Sequence, residues 1–357
     1  MSEEKREKDR INFIKKTAWK KADVALLAGD ASFRKYYRLN PTDEMLGMHP
    51  TVLMDAPPKS EDVKPFVAIA ERIRSLGYSA PKILYSDLRK GFLLLEDFGD
   101  HSYNSLIRES PMREHEIYSA AIDLLVDLHG RGLRNPLPVD NKKPYEVGTY
   151  NAAVLLNEAK LITEWTAKAM LGADSERDEA FEALWTKPFS MLDTQAPVLV
   201  LRDFHADNLM WLPTKVNLQR VGLLDFQDAL LGHPAYDLVS LLQDARRDVP
   251  LALEEAMIKR YLKGRERAGN LVDEANFRAA YAVLGAQRNI KVVGIFTRLY
   301  MRDGKQEYLG LIPHVWKLVE RNLWLDTLKP LDRWLKTYFP TKIRRKVLTP
   351  SQLNGEG

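Results

Sequence analysis

Arg202-Asp203-Phe204-His205-Ala206-Asp207-Asn208, followed by Leu223-Leu224-Asp225-Phe226, is the part of this chain best equipped for chemistry. An Asp five residues before an Asn on one tight loop can offer a carboxylate to a substrate hydroxyl while the amide oxygen reaches a metal ion. A second Asp at a neighbouring strand end then holds Mg²⁺ between nucleotide phosphates. This is the equipment of phosphoryl transfer, which asks a protein for alignment and charge neutralisation more than for a covalent nucleophile. Asp203 is the expected catalytic base, and Asn208 and Asp225 are the expected metal ligands. His205 reads as a brace for the loop, because a second base beside Asp203 would be redundant. Asp237 reads as a loop-fixing residue or helix cap.

These groups need rigid elements behind them. Val198-Leu199-Val200-Leu201 and Leu209-Met210-Trp211-Leu212 are short apolar runs bounded by Pro197 and Pro213, and Val221-Gly222-Leu223-Leu224 is a third. All three have strand length, so both loops are expected to leave adjacent strands. Up to about Asp97 the chain alternates short β-type runs and turns, with one helix-like segment from Glu61 to Leu76 ending at Gly77. From about Ser102 the spacing turns helical: Ile117, Ala121, Leu124, Leu125 and Leu128 recur at threes and fours, as do Leu155, Leu156, Ala159 and Ile162. Those stripes are core. The expected organisation is an α+β chain with a small β-rich N-terminal lobe over residues 1–98. A larger, mainly helical lobe over 99–345 and a tail over 346–357 follow. A nucleotide commonly occupies the cleft at such a junction.

Gly29-Asp30-Ala31-Ser32 lies between Val24-Ala25-Leu26-Leu27 and Tyr36-Tyr37-Arg38-Leu39. It reads as a hairpin turn whose backbone N–H groups cover phosphates, small residues letting the chain approach closely. Gly29, Ser32 and Arg34 are the phosphate candidates.

Composition sets the remaining bounds. At 357 residues, 45% hydrophobic and 29% charged, the chain can bury one large core or two lobes. The absence of cysteine excludes disulfides, thiolate metal sites and cysteine nucleophiles. The first ten residues are densely charged with no apolar signal core, and no apolar run is long enough to span a bilayer. A cytoplasmic protein with no membrane, nucleic-acid or obligate protein partner is expected, since a net charge of +4 is interspersed along the sequence. Lys342-Ile343-Arg344-Arg345-Lys346 reads as a solvated basic stretch.

The 202–208 loop, Asp225 and Gly232-His233-Pro234-Ala235-Tyr236-Asp237-Leu238 together resemble the aminoglycoside phosphotransferase and choline kinase group of small-molecule kinases. Three further segments carry a closer resemblance: Leu27-Ala28-Gly29-Asp30-Ala31-Ser32-Phe33-Arg34, Val52-Leu53-Met54-Asp55-Ala56-Pro57-Pro58, and Gly91-Phe92-Leu93-Leu94-Leu95-Glu96-Asp97-Phe98-Gly99-Asp100. They are similar to the anomeric kinases of bacterial cell-wall recycling, which phosphorylate N-acetylmuramate and N-acetylglucosamine at C1. The resemblance implies a two-lobed protein-kinase-like fold, ATP and Mg²⁺ as cofactors, and a small sugar as acceptor. It implies adenine recognition by main-chain groups of Glu96 and Phe98, and sugar contacts from Gln287 and Arg288. One position departs from the group: its third-strand Lys or Arg is replaced by Met54, which cannot neutralise phosphate. Arg34 is the expected substitute, because a guanidinium binds phosphate in bidentate fashion. Glu71 is left with no assignable partner. A choline-like or aminoglycoside acceptor is the enzymatic alternative, and a nucleotide-binding pseudokinase scaffold the non-enzymatic one.

Overall fold

The computed structural model describes residues 3–29, 33–45, 47–133, 135–139, 144–349 and Leu353. Ser32 lies outside these described residues, as do Asp30 and Ala31. The chain forms two compact units. One comprises residues 1–120, 134–147 and 207–229, the other 121–133, 148–206 and 230–357.

The first unit is built on a five-stranded antiparallel sheet ordered β1-β2-β3-β5-β4, from β1 (Asp23–Gly29), β2 (Lys35–Asn40), β3 (Thr51–Asp55), β4 (Ile83–Asp87) and β5 (Phe92–Glu96). Alternation divides its side chains. Leu39, Leu53, Phe92 and Leu94 bury against Phe13 and Ile14 of α1 (Glu3–Ile14), with the Phe13 and Phe92 rings stacked 5.4 Å apart. Asp55, at the end of β3, is 3% exposed and takes ion pairs from Arg6 at 2.6 Å and Arg10 at 3.5 Å, both on α1. The helix expected from Glu61 is α2 (Lys64–Ser75), opened by Pro65 and followed by Gly77 at φ +89°. Ser102 caps α3 (Tyr103–Glu109), its Oγ accepting the Ser105 N–H. The hairpin β7 (Leu209–Trp211) and β8 (Val221–Leu223) also belongs here, tied in by the Leu223 N–H to the Ser79 carbonyl at 2.8 Å.

In α4 (Glu114–Leu128) the division of the chain falls after Ala120, and the predicted stripe of Ile117, Ala121, Leu124, Leu125 and Leu128 is buried. The second unit is mainly helical. It holds α5 (Ala152–Ala159), a π-helical turn (Ile162–Ala167), and the short α6 (Lys168–Leu171), α7 (Ser175–Ala183) and α8 (Thr186–Ser190). β6 (Val198–Val200) pairs with β9 (Leu230–Gly232), and α9 (Ala235–Leu242) follows. Beyond these come α10 (Leu251–Arg267), the 30-residue α11 (Glu274–Asp303), α12 (Ile312–Asn322), α13 (Lys329–Tyr338) and α14 (Thr341–Arg344). α11 starts at Asp273, whose side chain accepts the Asn276 N–H, and stops at Gly304 in the left-handed region. Gly294 brings it against the chain at Leu161; a Cβ there would lie 2.3 Å from the Leu161 carbonyl carbon. The sheet-rich N-terminal part and mainly helical remainder expected from the sequence are both found. Among the described residues, no helix is long and apolar enough to cross a membrane.

Candidate active site

The segment around Asp203 is shaped by backbone before side chains. β6 ends at Val200, and Arg202 then adopts φ +70°, a region that costs a non-glycine residue of order 1 kcal/mol or more. Asp237, fully buried on α9, holds this bend: its carboxylate accepts the Leu201 N–H at 2.8 Å and the Arg202 N–H at 2.9 Å. His129 stands behind it, Nε2 at 3.6 Å from Asp237 and Nδ1 at 2.9 Å from the Tyr261 hydroxyl. The Asp203 N–H then donates to the Leu201 carbonyl, and the His205 N–H to the Asp203 carbonyl at 3.0 Å. Asp237 thus fixes the loop, in the role its position in the sequence suggested.

Around Asp203 the second unit assembles a charge cluster. Glu158, on α5, receives Lys291 at 2.9 Å, the Arg202 guanidinium and the Tyr150 hydroxyl, with Gln287 Nε2 at 3.4 Å. Burial alone would raise the Asp203 carboxyl, but Lys291, His205, Arg288 and Arg202 outweigh it and hold the group below its ordinary value. Glu158 follows the same rule, burial opposing and Lys291 and Arg202 prevailing. His205 moves the other way: burial depresses its imidazole despite the pull of Asp244. Arg246 Nη1 lies 3.5 Å from His205 Nε2.

Gln287 and Arg288 are placed beneath this cluster. Gln287 is fully buried and donates to the Leu155 carbonyl at 2.9 Å. Arg288 is 5% exposed and donates to Ser240 Oγ at 2.9 Å, its Nη1 buried without a hydrogen-bond partner. Both side chains are buried, as is nearly every residue of α11 over this stretch. Tyr150 is buried edge-on to Tyr236, with ring centroids 4.7 Å apart.

In the first unit a cavity of about 350 Å³ is lined by Leu27, Tyr36, Val52, Phe66, Leu95, Phe98, Met210 and Leu224, with Asn208 and Asp225 among its polar groups. Its apolar walls suit a flat aromatic base. Glu96 and Phe98 stand at its edge. The Glu96 N–H is spent on the Lys82 carbonyl at 2.8 Å, so the Glu96 carbonyl is the main-chain group of that residue suited to adenine recognition. The Phe98 ring packs so near Gly222 that a Cβ there would approach it to 2.9 Å. Gly29 ends β1 opposite Lys35.

Asp225, like Arg202, has a positive φ, +55°. Its carboxylate takes Gln227 Nε2 at 2.8 Å and lies 3.4 Å from the Asn208 amide nitrogen. Rotating that amide by half a turn turns its oxygen toward Asp225, the two atoms being assigned by hydrogen bonding. One carboxylate, one amide oxygen, phosphate oxygens and water make the oxygen-rich set that Mg²⁺ prefers, so these residues fit the ion. Arg34 joins them. It is largely buried, its Nη1 3.6 Å from Asp225 and its Nε 3.5 Å from Glu61. Burial works against its charge, but Tyr36, Asp225, Glu61 and Asp228 outweigh that and raise the guanidinium. Met54 is 1% exposed within the sheet, paired with Tyr36 and Leu93. The sequence reading missed Glu61 as the acid beside Arg34. It also missed Glu158, whose signal was a lone acid beside the apolar stripe of Leu155, Leu156 and Ala159.

The profile of the phosphotransferase enzyme family matches residues 23–271. The chain is 36% identical over 347 residues to a Caulobacter vibrioides protein named N-acetylmuramate/N-acetylglucosamine kinase, covering 89% of this chain and 93% of that one. A Pseudomonas aeruginosa protein of the same name is 34% identical over 305 residues, 84% of this chain and 83% of that one. Among solved structures, a choline/ethanolamine kinase family protein from Mesorhizobium loti superposes with a TM-score of 0.59 at 11% identity, covering 93% of this chain and 99% of that one. That last likeness is one of fold alone.

Proposed function

The chain belongs to the phosphotransferase enzyme family, and from that premise we propose that it is an ATP-dependent kinase of N-acetylmuramate and N-acetylglucosamine. The hydroxyl phosphorylated is the anomeric one at C1, and the setting is cytoplasmic recycling of peptidoglycan sugars. The observation that carries the reading is Asp203: a carboxylate held charged, on a bend pinned by two hydrogen bonds to buried Asp237. The names of the two relatives support the choice of sugar.

In this reading the sugar O1 attacks the γ-phosphorus, the new O–P bond forms as the β,γ-bridging bond breaks, and ADP leaves with that electron pair. The O1 proton passes to Asp203. A carboxylate below its ordinary pKa is a weak base, so the proton moves late, once the oxygen has begun to bond phosphorus. Glu96 and Phe98 meet adenine, and Gly29, Ser32 and Arg34 meet the phosphates. Asn208 and Asp225 hold Mg²⁺, which when bound neutralises charge on the triphosphate. Gln287 and Arg288 serve the acceptor side indirectly, through Glu158 and through the field on Asp203.

The test is ³¹P NMR of the purified protein with MgATP and, separately, N-acetylmuramate, N-acetylglucosamine, choline and an aminoglycoside. A sugar phosphate coupled to H1 is expected with the first two. Transfer only to choline or the aminoglycoside would overturn the acceptor, and nucleotide binding with no transfer to any of the four would favour a scaffold.

A further inference from the structure

We infer that Arg265 binds the carboxylate or phosphate of a small anionic molecule, in a cavity of the second unit distinct from the cluster around Asp203. The inference goes beyond the kinase reading and does not depend on it. Arg265 lies in the last turn of α10 and is 9% exposed. Of the five N–H donors of a guanidinium, one is spent inside the protein, Nη1 on the Val126 carbonyl at 3.2 Å. Among the described residues no carboxylate pairs with it. Arg6, Arg177 and Arg344 are buried to the same degree, and each holds a carboxylate, at 2.6, 2.9 and 2.9 Å. A buried charge with no counter-ion is costly, and carbonyl dipoles at the ends of α4 and α10 offset only part of that cost.

Open space takes the place of the missing counter-ion. Arg265 lines a cavity of about 550 Å³, and none of the side chains around it is acidic. No Arg265 nitrogen is both sealed from solvent and unbonded, so the donors without partners open onto that cavity. Gly130 keeps the approach clear, since a Cβ there would stand 3.2 Å from the Arg265 Nη1. The half-buried Gln195 amide adds donors to the same lining and has no partner among the described residues. Arg131, the other cation on the lining, is exposed and pairs with Asp127 at 3.0 Å, and His129 is engaged by Asp237 and Tyr261. An anion is therefore held at Arg265, whose fork meets a carboxylate or phosphate through charge-assisted hydrogen bonds. Val198, Leu199 and Leu271 supply apolar wall, so the volume suits an oxyanion carried on an apolar body.

The experiment follows thermal unfolding of full-length wild type, Arg265→Met and Arg265→Lys in sodium chloride, sodium acetate and sodium phosphate at equal ionic strength. An anion bound to the folded state stabilises it according to occupancy. Acetate, phosphate or both should therefore raise the wild-type melting temperature by about 2 °C or more beyond the rise in Arg265→Met, with Arg265→Lys between them. The anion that acts shows whether the site takes a carboxylate or a phosphate. Arg34 is present in all three proteins, so phosphate held on the nucleotide side cancels from the difference. Equal shifts in wild type and Arg265→Met would mark a solvent effect and overturn the site. Should Arg265→Met not fold, wild-type amide resonances decide: those of Gly130 and Leu271 should move and saturate as acetate or phosphate is added. Shifts that are absent, or that never saturate, would overturn it.

Discussion

Asp203 and Asp225 are both loop aspartates that follow short strands, the first just after left-handed Arg202 and the second left-handed itself, yet their surroundings differ in kind. Asp225 faces Arg34 directly, at the wall of an apolar cavity, with Gln227 and Asn208 as its other neighbours. Around Asp203 the cations are themselves restrained, Arg202 and Lys291 by Glu158 and Arg288 by Ser240. A carboxylate that must bind a dication tolerates a close monovalent substitute. Asp203 is instead kept ionised by several cations that also serve other partners.

The contrast breaks most sharply at Asp203→Asn, which should lower kcat by about 10² or more while nucleotide affinity, measured by calorimetry, stays near wild type. Near-normal turnover would remove Asp203 from its role. Asp237→Ala comes next. It strips the Leu201 and Arg202 N–H groups of their acceptor, and each buried donor left unsatisfied costs about 1–3 kcal/mol. Thermal unfolding and kcat should both fall, and a stable, active variant would mean that the bend holds itself. Arg34→Ala should weaken ATP binding by roughly 10-fold with little change in KM for the sugar, since a phosphate-binding cation lies on the nucleotide side. An equal effect on both substrates would blur the division drawn here.

A further effect is one of pH. His233 is lowered from 6.5 to about 4, by burial first and by His129 second. Between those values the unfolded chain binds a proton that the folded chain refuses, so stability falls on acidification through this window and is regained as pH rises. At about 1.4 kcal/mol per unit this amounts to ~3 kcal/mol at most. Melting temperatures from pH 7 to 5 should show the decline, and His233→Phe should flatten it. An identical slope in the variant would point to other groups.

Much of the frame was legible because its signals are local. Gly77 marks the end of α2, the apolar runs flanking the catalytic loop are the strands β6 and β7, and the Ile117 to Leu128 stripe is core. Arg34 was reached by elimination after Met54, and the structure sets it beside Asp225. What escaped depends on contacts across long stretches of chain. Glu158 and Lys291 are 133 residues apart and Arg246 and His205 are 41 apart, and no periodicity joins such pairs. The burial of Gln287 and Arg288 was illegible for a related reason. From Phe277 to Ile290 nearly every residue of α11 is buried, so a helix that usually separates wet from dry faces has no wet face there to read.

The N-terminal helix lies outside the stretch matched by the family profile, yet it is bonded deeply into the sheet. A shortened variant starting after Ile14 would strand the Asp55 carboxylate without Arg6 and Arg10, and would expose Phe92 and Leu94 to water. A bare, flat patch of β-structure of that kind attracts other copies of itself. Fusion tags and truncations at this end should therefore be judged by whether the protein stays monodisperse, even where turnover per folded molecule is unaffected.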